Sequence, residues 1–185
     1  MANNVLIVNS SSRPNGHTAR LCNAFIEGLK EAGKQYTLYE TEGKNIAPCK
    51  GCGACRHNGG TCAIRDDMDE FSELFKAADG LVLASPMYYF TFNGQMKTLI
   101  DRLYAMGVNI RFQYPSKDVA FFMTAGEALE DTFDVTDAFC DRAMDRIFKS
   151  WNEKGRIYAG GLANNRDAIE GHPAMEKARR LGREL

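Results

Sequence analysis

The chain has 185 residues, 44% of them hydrophobic and 25% charged, with a formal net charge of -1. That is enough apolar material for one sizeable core, and the length fits a single α/β domain, 1–185, better than two. The charge balance lacks the basic excess of a nucleic-acid binder, no apolar run nears the roughly 20 residues that span a bilayer, and no basic region leads into an apolar stretch at the N-terminus; a cytoplasmic protein that binds neither nucleic acid nor membrane is expected.

The first predicted element is a strand, Asn4 to Asn9 (NVLIVN), apolar and β-branched enough to be buried on both faces. A polar loop, Ser10 to Gly16, leads into a helix over His17 to Ala32, with Leu21, Phe25, Ile26 and Leu29 at helical spacing and Gly33 as its stop. Gln35 to Glu40 alternates as a strand, completing a β-α-β unit with parallel strands and a right-handed connection. Ala47 to Arg65 is rich in cysteine and glycine and reads as a loop. A helix over Asp66 to Ala78, a buried strand over Gly80 to Ala84, a helix over Gly94 to Met106 and a strand over Val119 to Thr124 follow. A long helix over Asp131 to Trp151, a fifth strand over Arg156 to Gly160 and a basic helix over Met175 to Leu185 close the chain. Five strands alternating with helices predict a doubly wound α/β sheet. Ligands of such sheets bind at the carboxyl ends of the strands, at the point where the strand order reverses, so the loops after strands one, three and four carry the expectation of a site.

The loop after strand one reads S-S-S-R-P-N-G-H-T, Ser10 to Thr18. Three hydroxyls, an arginine and a helix N-terminus converge there, and free backbone N–H groups at the positive end of a helix dipole suit a phosphate. Arg13 can add a charge-assisted contact, and Thr18 a hydroxyl from the first helical turn. The plainer reading is that Ser12 or Asn15 caps the helix and nothing more. Neither G-x-x-x-x-G-K nor G-x-G-x-x-G is present, which argues against a nucleoside triphosphate or a stably held dinucleotide. The loop after strand three, S-P-M-Y-Y-F-T-F, leaves Met87, Tyr88, Tyr89, Phe90 and Phe92 exposed unless something covers them. A flat isoalloxazine ring would suit this surface, as would a subunit interface or a lid packed on its own core.

Taken together, Ser10 to Thr18, the S-P-M-Y-Y segment and K-T-L-I-D-R (Lys97 to Arg102) resemble the NADPH-dependent FMN reductase family of flavodoxin-like proteins. The resemblance implies a flavodoxin-like, five-stranded parallel sheet with helices on both faces and an FMN-dependent oxidoreductase. Electrons would pass from NADPH or NADH to a quinone, a free flavin, an iron compound or a protein acceptor. It implies that Ser11, Arg13, His17 and Thr18 hold the FMN phosphate, within a loop that also includes Ser10, Ser12 and Asn15. Pro86, Met87, Tyr88 and Tyr89 would contact the ring, with Phe90 beside them, and Thr124, Ala125, Gly126 and Glu127 would add an edge contact. No side chain need act as acid or base, since the flavin carries the chemistry. The chain departs from the pattern at Ser10 to Ser12, where relatives often have glycine, serine and proline, and at His17, where they often have asparagine. The near-neutral charge also differs from the strongly acidic small flavodoxin shuttles. The apolar loop after strand three predicts a homodimer or homotetramer.

Six cysteines are present, and Cys49, Cys52, Cys55 and Cys62 fall within 14 consecutive positions as C-x-x-C-x-x-C-x6-C. This spacing resembles the compact motif of iron–sulfur flavoproteins, which implies a [4Fe–4S] cluster on those four thiolates. A glycine-rich loop can wrap a cuboidal cluster. Free or disulfide-switching thiols and a structural zinc are the alternatives, though C-x-x-C-x-x-C is cramped for a tetrahedral ion. Two further functions stay open on this motif: single-electron exchange with a ferredoxin-like partner, and a non-catalytic flavin-binding thiol sensor. Elsewhere, Asp66 and Asp67 read as caps of the helix they begin, Asp101 and Arg102 as a local ion pair, His57 as a solvated side chain and His172 as a turn residue. Cys22 and Cys140 read as core residues, and Lys177 to Arg183 as a solvated helix face.

Overall fold

A computed structural model of the chain describes residues 2–163, 165 and 167–185. The first strand, β1 (Asn4–Asn9), leads into α1 (His17–Glu31) and β2 (Gln35–Glu40); a 3-10 turn (Ala54–Arg56) lies in the cysteine loop before α2 (Met68–Ala77). β3 (Gly80–Tyr88) and β4 (Thr91–Phe92) are followed by α3 (Gly94–Arg102), α4 (Tyr104–Val108) and β5 (Asp118–Thr124), then α5 (Asp134–Arg146), β6 (Asn152–Ala159) and α6 (Pro173–Glu184). The parallel strands lie in the order β2-β1-β3-β5-β6, the flavodoxin-like order expected, with β4 paired antiparallel to β3. The order reverses between β1 and β3, and that switch point positions the site.

Central strands buried on both faces need apolar residues at every position, and β1, β3 and β5 supply them. Leu6 and Val8 face a layer built on α2, α3 and α5, where they meet Leu81, Leu83, Phe71 and Met96. Val5 and Ile7, one residue out of phase, face α1 and α6 with Val82, Phe122 and Phe25. The α1–α6 contact is unusually close. A Cβ built on Gly28 would fall 1.9 Å from the Arg179 carbonyl oxygen, and one on Gly182 would fall 2.3 Å from that of Phe25. The basic stretch of α6 is therefore not simply a solvated face: Arg179 and Arg183 both reach Glu31 at the end of α1.

Several boundaries differ from the sequence reading, and the largest differences lie where tertiary contacts override the local pattern. Strand β3 runs on through Pro86 to Tyr88 and turns back into β4, a hairpin whose two turn residues, Tyr89 and Phe90, have φ of 48° and 67°. The expected helix Gly94 to Met106 breaks at Leu103, whose carbonyl accepts from the Tyr114 hydroxyl at 3.0 Å in addition to the Met106 and Gly107 amides. The expected helix Asp131 to Trp151 ends at Arg146. Phe148 and Trp151 stack with ring centres 3.9 Å apart and join Tyr114 and Phe75 in the core, which pulls the chain out of the helix and starts β6 four residues early.

Gly28→Ala should be costly, because the added methyl meets backbone rather than a flexible side chain. We expect a loss of about 1–3 kcal/mol, read as a lower urea midpoint with an unchanged m-value. A midpoint equal to that of the parent would show that the two helices can part without cost.

Candidate functional site

A cleft of about 400 Å³ opens at the carboxyl edge of the sheet. Its first wall is the loop after β1. Asn9 Oδ1 accepts from the Ser11 amide at 3.1 Å, and Ser11 Oγ accepts from the Arg13 amide at 3.1 Å, so the loop is curled by its own side chains. Gly16 closes the curl: a Cβ there would stand 3.0 Å from Arg13 Cβ and 3.3 Å from Ser11 Oγ. Gly16 is also the N-cap of α1, and no side chain among the described residues caps that helix end. The free N–H groups of its first turn are thus left for something other than the protein. His17 Nδ1 is buried there with no hydrogen-bond partner among the described residues.

The second and third walls come from the exits of β3 and β5. Pro86, Met87 and Tyr88 line the cleft on one side, and Thr124, Ala125 and Gly126 on the other. Thr124 Oγ1 lies 2.8 Å from Thr18 Oγ1, both buried, so the edge loop and the first turn of α1 are tied by a hydroxyl pair. A buried asparagine holds the remaining geometry. Asn93 Nδ2 donates to the Ser10 carbonyl at 2.6 Å, its backbone N–H donates to Ser85 Oγ at 3.0 Å, and its Oδ1 caps α3 by accepting from the Met96 amide at 3.1 Å.

Of the residues singled out in the sequence, Ser11, Arg13, His17, Thr18, Pro86, Met87, Tyr88, Thr124, Ala125 and Gly126 meet in this cleft. Ser12 and Asn15 line an adjoining depression with Arg13, Gly16 and His17. Ser10 lies outside both; it is buried and its Oγ donates to the Ala84 carbonyl at 3.1 Å, joining β1 to β3. Tyr89 and Phe90 stand at the exposed hairpin tip, Tyr89 with 97% of its surface free. Glu127 is exposed, and its carbonyl accepts from the Gly161 amide at 2.8 Å. The sequence reading missed Leu162, Ala163 and Asn165, which complete the cleft from the loop after β6. Their one signal is position: that loop leaves the same carboxyl edge as the other three.

The cysteine loop lies apart from these walls. Between Cys49 and Cys62 it carries four thiols and no carboxylate, a donor set that fits an iron–sulfur cluster, and Gly51, Gly53, Gly59 and Gly60 all take positive φ. Cys49 and Cys52 are exposed and Cys55 and Cys62 half-buried, all as free thiols. Among the described residues no three His, Cys, Asp or Glu side chains are gathered closely enough to hold a metal ion. The loop is docked on α4 through Asn109, which donates to the Cys55 carbonyl at 3.3 Å, and Arg56, which donates to the Tyr104 hydroxyl at 2.9 Å. His57 is exposed, as expected. Cys22 and Cys140 are core residues, and burial pushes both thiols up to about 12. His172 caps α6, its Nδ1 accepting from the Ala174 amide at 3.1 Å.

Asp66 and Arg102 correct the sequence reading. Arg102 is not paired with its neighbour Asp101, which instead meets Lys97 at 2.6 Å. Its guanidinium grips the Asp66 carboxylate with two bonds of 2.7 and 3.0 Å, and both side chains are buried. The N-cap of α2 is Asp67, whose side chain makes no capping bond; Asp66, one position earlier, accepts from the Met68 amide at 3.1 Å and from the Ala47 amide at 2.9 Å while Arg102 donates to the Ala47 carbonyl at 2.7 Å. Asp67 accepts from the Asn45 amide at 2.6 Å. Local sequence pairs adjacent charges; only the fold brings residues 66 and 102 together.

Residues 3–138 match the NADPH-dependent FMN reductase family. The chain belongs to that family. It is 30% identical over 177 residues, 95% of this chain and 75% of the relative, to an iron–sulfur flavoprotein of Archaeoglobus fulgidus. It is 38% identical over 95 residues, 51% of this chain and 49% of the relative, to an iron–sulfur flavoprotein of Methanosarcina thermophila. A solved NAD(P)H:quinone oxidoreductase from Methanothermobacter marburgensis shares the fold, with a TM-score of 0.74 at 21% identity over 100% of this chain and 98% of that one. The family makes this chain an FMN-dependent oxidoreductase with a reduced nicotinamide as donor. Among the described residues no helix is long and apolar enough to cross a membrane.

Burial raises the Asp66 carboxyl, but the bonds from Arg102, Ala47 and Met68 outweigh it and hold the group below the usual carboxylate range. The unfolded value is about 3.9, so this contribution is complete above pH ~4 and is lost as pH falls through the lowered folded value. Asp66→Asn should cost about 3–5 kcal/mol near neutrality, by leaving a buried guanidinium unpaired, and should flatten the acid limb of the stability curve. Urea midpoints measured across pH 2–7 for both proteins check this; parallel acid limbs would remove Asp66 from the acid response.

Proposed function

We propose that the cleft holds FMN, with its phosphate in the loop after β1 and its ring between the exits of β3 and β5. The observation that carries this is the N-terminus of α1, where among the described residues no side chain caps the helix and the buried His17 Nδ1 has no partner, with Arg13 beside it. An anion there meets the free N–H groups of His17 and Thr18, the Arg13 charge and the Ser11 hydroxyl. Pro86, Met87 and Tyr88 offer a stiff, apolar wall for one side of a flat ring, while the backbone of Thr124 to Gly126 offers polar groups to its edge. Leu162 and Ala163 narrow the cleft and exclude water. Bound there, FMN would supply the redox chemistry between a reduced nicotinamide and a quinone, flavin, iron compound or protein acceptor. The protein contributes binding, orientation and a dry wall, and no side chain is assigned as acid or base.

A second reading adds a [4Fe–4S] cluster on Cys49, Cys52, Cys55 and Cys62, with a ferredoxin-like protein as one-electron partner. The all-thiol donor set and the two iron–sulfur flavoprotein relatives favour it. It requires the outer part of the loop, Cys49 to Cys55, to close toward Cys62 when iron binds. We also infer association into at least a dimer. Tyr88, Tyr89 and Phe90 expose more apolar surface than a ring in the cleft can cover, and Leu129 and Val135 are exposed as well.

Cofactor released by denaturation should be FMN, and Arg13→Ala should weaken its binding by about 1–3 kcal/mol through loss of a charge-assisted bond. Recovery of FAD alone, or an unchanged dissociation constant in the variant, would sink the assignment. Light scattering at micromolar concentration should exceed the 20.6 kDa of one chain; that mass alone would contradict the dimer.

A further inference from the structure

We propose that Thr136 is a positioning residue of the flavin wall: from the first turn of α5 its hydroxyl holds the Phe90 carbonyl, and through the β3–β4 pairing it keeps Met87 and Tyr88 in place at the cleft. The inference rests on the FMN reading above and deepens it. It starts from a backbone that its own residues do not favour. Tyr89 and Phe90 have φ of 48° and 67°, and bulky residues stay in left-handed backbone only where the surroundings over-determine it. Neither ring supplies that constraint, since Tyr89 is 97% exposed and Phe90 57%. The constraint comes from α5. Thr136 is fully buried, and its Oγ1 donates to the Phe90 carbonyl at 3.3 Å. Among the described residues no other side-chain hydrogen bond reaches residues 88–91.

A second contact from the same helix completes the hold. Phe139, further along α5, meets Phe92 edge-on with ring centres 5.4 Å apart, and Phe92 is buried. Thr136 fixes the turn and Phe139 the returning strand, so the pairs Met87 with Phe92 and Tyr88 with Thr91 are set in register from α5. Met87 and Tyr88 are also the members of those pairs that line the cleft. The helix is itself anchored on the sheet next to Thr136: Asp137 accepts from Arg156 Nη1 at 2.8 Å and from the Tyr158 hydroxyl at 2.5 Å, both on β6. A chain of contacts therefore runs from β6 through α5 to the hairpin and ends at the flavin wall, and Thr136 is the link that touches the turn. Thr136 is not among the described residues that line the cleft, so it acts on a flavin only through Met87 and Tyr88. A methyl in place of its hydroxyl keeps the shape and removes the bond, which lets the turn relax out of left-handed backbone and carry the wall with it.

The test titrates FMN into the full chain as the parent, Thr136→Val and Thr136→Ser, and records the fluorescence of the bound flavin. Thr136→Val should bind FMN about 3–10-fold more weakly, the size of one lost hydrogen bond. Its bound flavin should fluoresce more strongly, because an aromatic side chain held against the ring quenches it. Thr136→Ser keeps the donor and gives up only a buried methyl, so it should return both readings to those of the parent while lowering the urea midpoint. A merely structural residue would impair the flavin in step with the midpoint, in Thr136→Ser as in Thr136→Val, and that result overturns the proposal. Parent-like affinity and fluorescence in Thr136→Val overturn it too. Hydrogen exchange of the FMN-free proteins reads the hairpin directly. Amides of residues 87–92 should exchange faster in Thr136→Val and as in the parent in Thr136→Ser; unchanged exchange in Thr136→Val overturns the positioning role. If Thr136→Val does not fold, Thr136→Ala is measured in its place under the same expectations. A parent that binds no FMN would sink the flavin reading instead, and the exchange measurement would still judge Thr136.

Discussion

A single buried amide holds the site in shape. Asn93 ties the exit of β1, through the Ser10 carbonyl, to the exit of β3, through Ser85, and to the start of α3, through the Met96 amide. A parallel sheet delivers all its strand exits to one edge, where the ladder ends and backbone groups lose their partners. Something must satisfy those groups without filling the space a ligand needs. Asn93 does so from beneath, and its hydrogen bonds run in both directions at once. It replaces three separate caps and leaves the walls above it free.

The rest of the site follows from what that arrangement leaves open. Because the loop after β1 is curled by Asn9, Ser11 and Gly16, the first turn of α1 points its N–H groups upward with no side chain across them. Thr18 and Thr124 are hydrogen-bonded, which ties the first turn of α1 to the loop after β5 at that point. The walls of the cleft are thus tied to one another by side-chain hydrogen bonds. The cysteine loop is built differently. It is braced at its Ala47 entry and docked on α4 through Cys55 and Arg56, with positive φ at four glycines and with Cys49 and Cys52 exposed.

Much of this was legible from residues alone, and the reasons are local. The bounds of strands β1 and β2 are legible because their apolar patterns end at polar residues on both sides, and the loop from Ser10 to Thr18 carries its own turn signals. Where long-range contacts set the structure, the sequence was silent. Nothing near Leu103 announces that Tyr114 will take its carbonyl, and nothing near Trp151 announces a stack with Phe148. Asp101 looked like the partner of Arg102 only because it stands next to it. Asp66, 36 positions away, is brought there by α2 and α3 packing on the same face of the sheet. Leu162, Ala163 and Asn165 escaped for another reason: small or singly polar residues in a loop bear no chemistry of their own, and only their place beside the other loops gives them a part.

The hairpin tip bears a cost of its own. Tyr89 and Phe90 occupy left-handed backbone, where asparagine or glycine would sit with little strain and bulky aromatics sit badly, at roughly 1–3 kcal/mol each. Their rings gain nothing from the core to offset this, since both face outward. A turn made this way is a spring kept under load for the sake of what it displays. Asn-Gly at these two positions would relieve the backbone, so the aromatic pair is kept at a standing cost in local conformation.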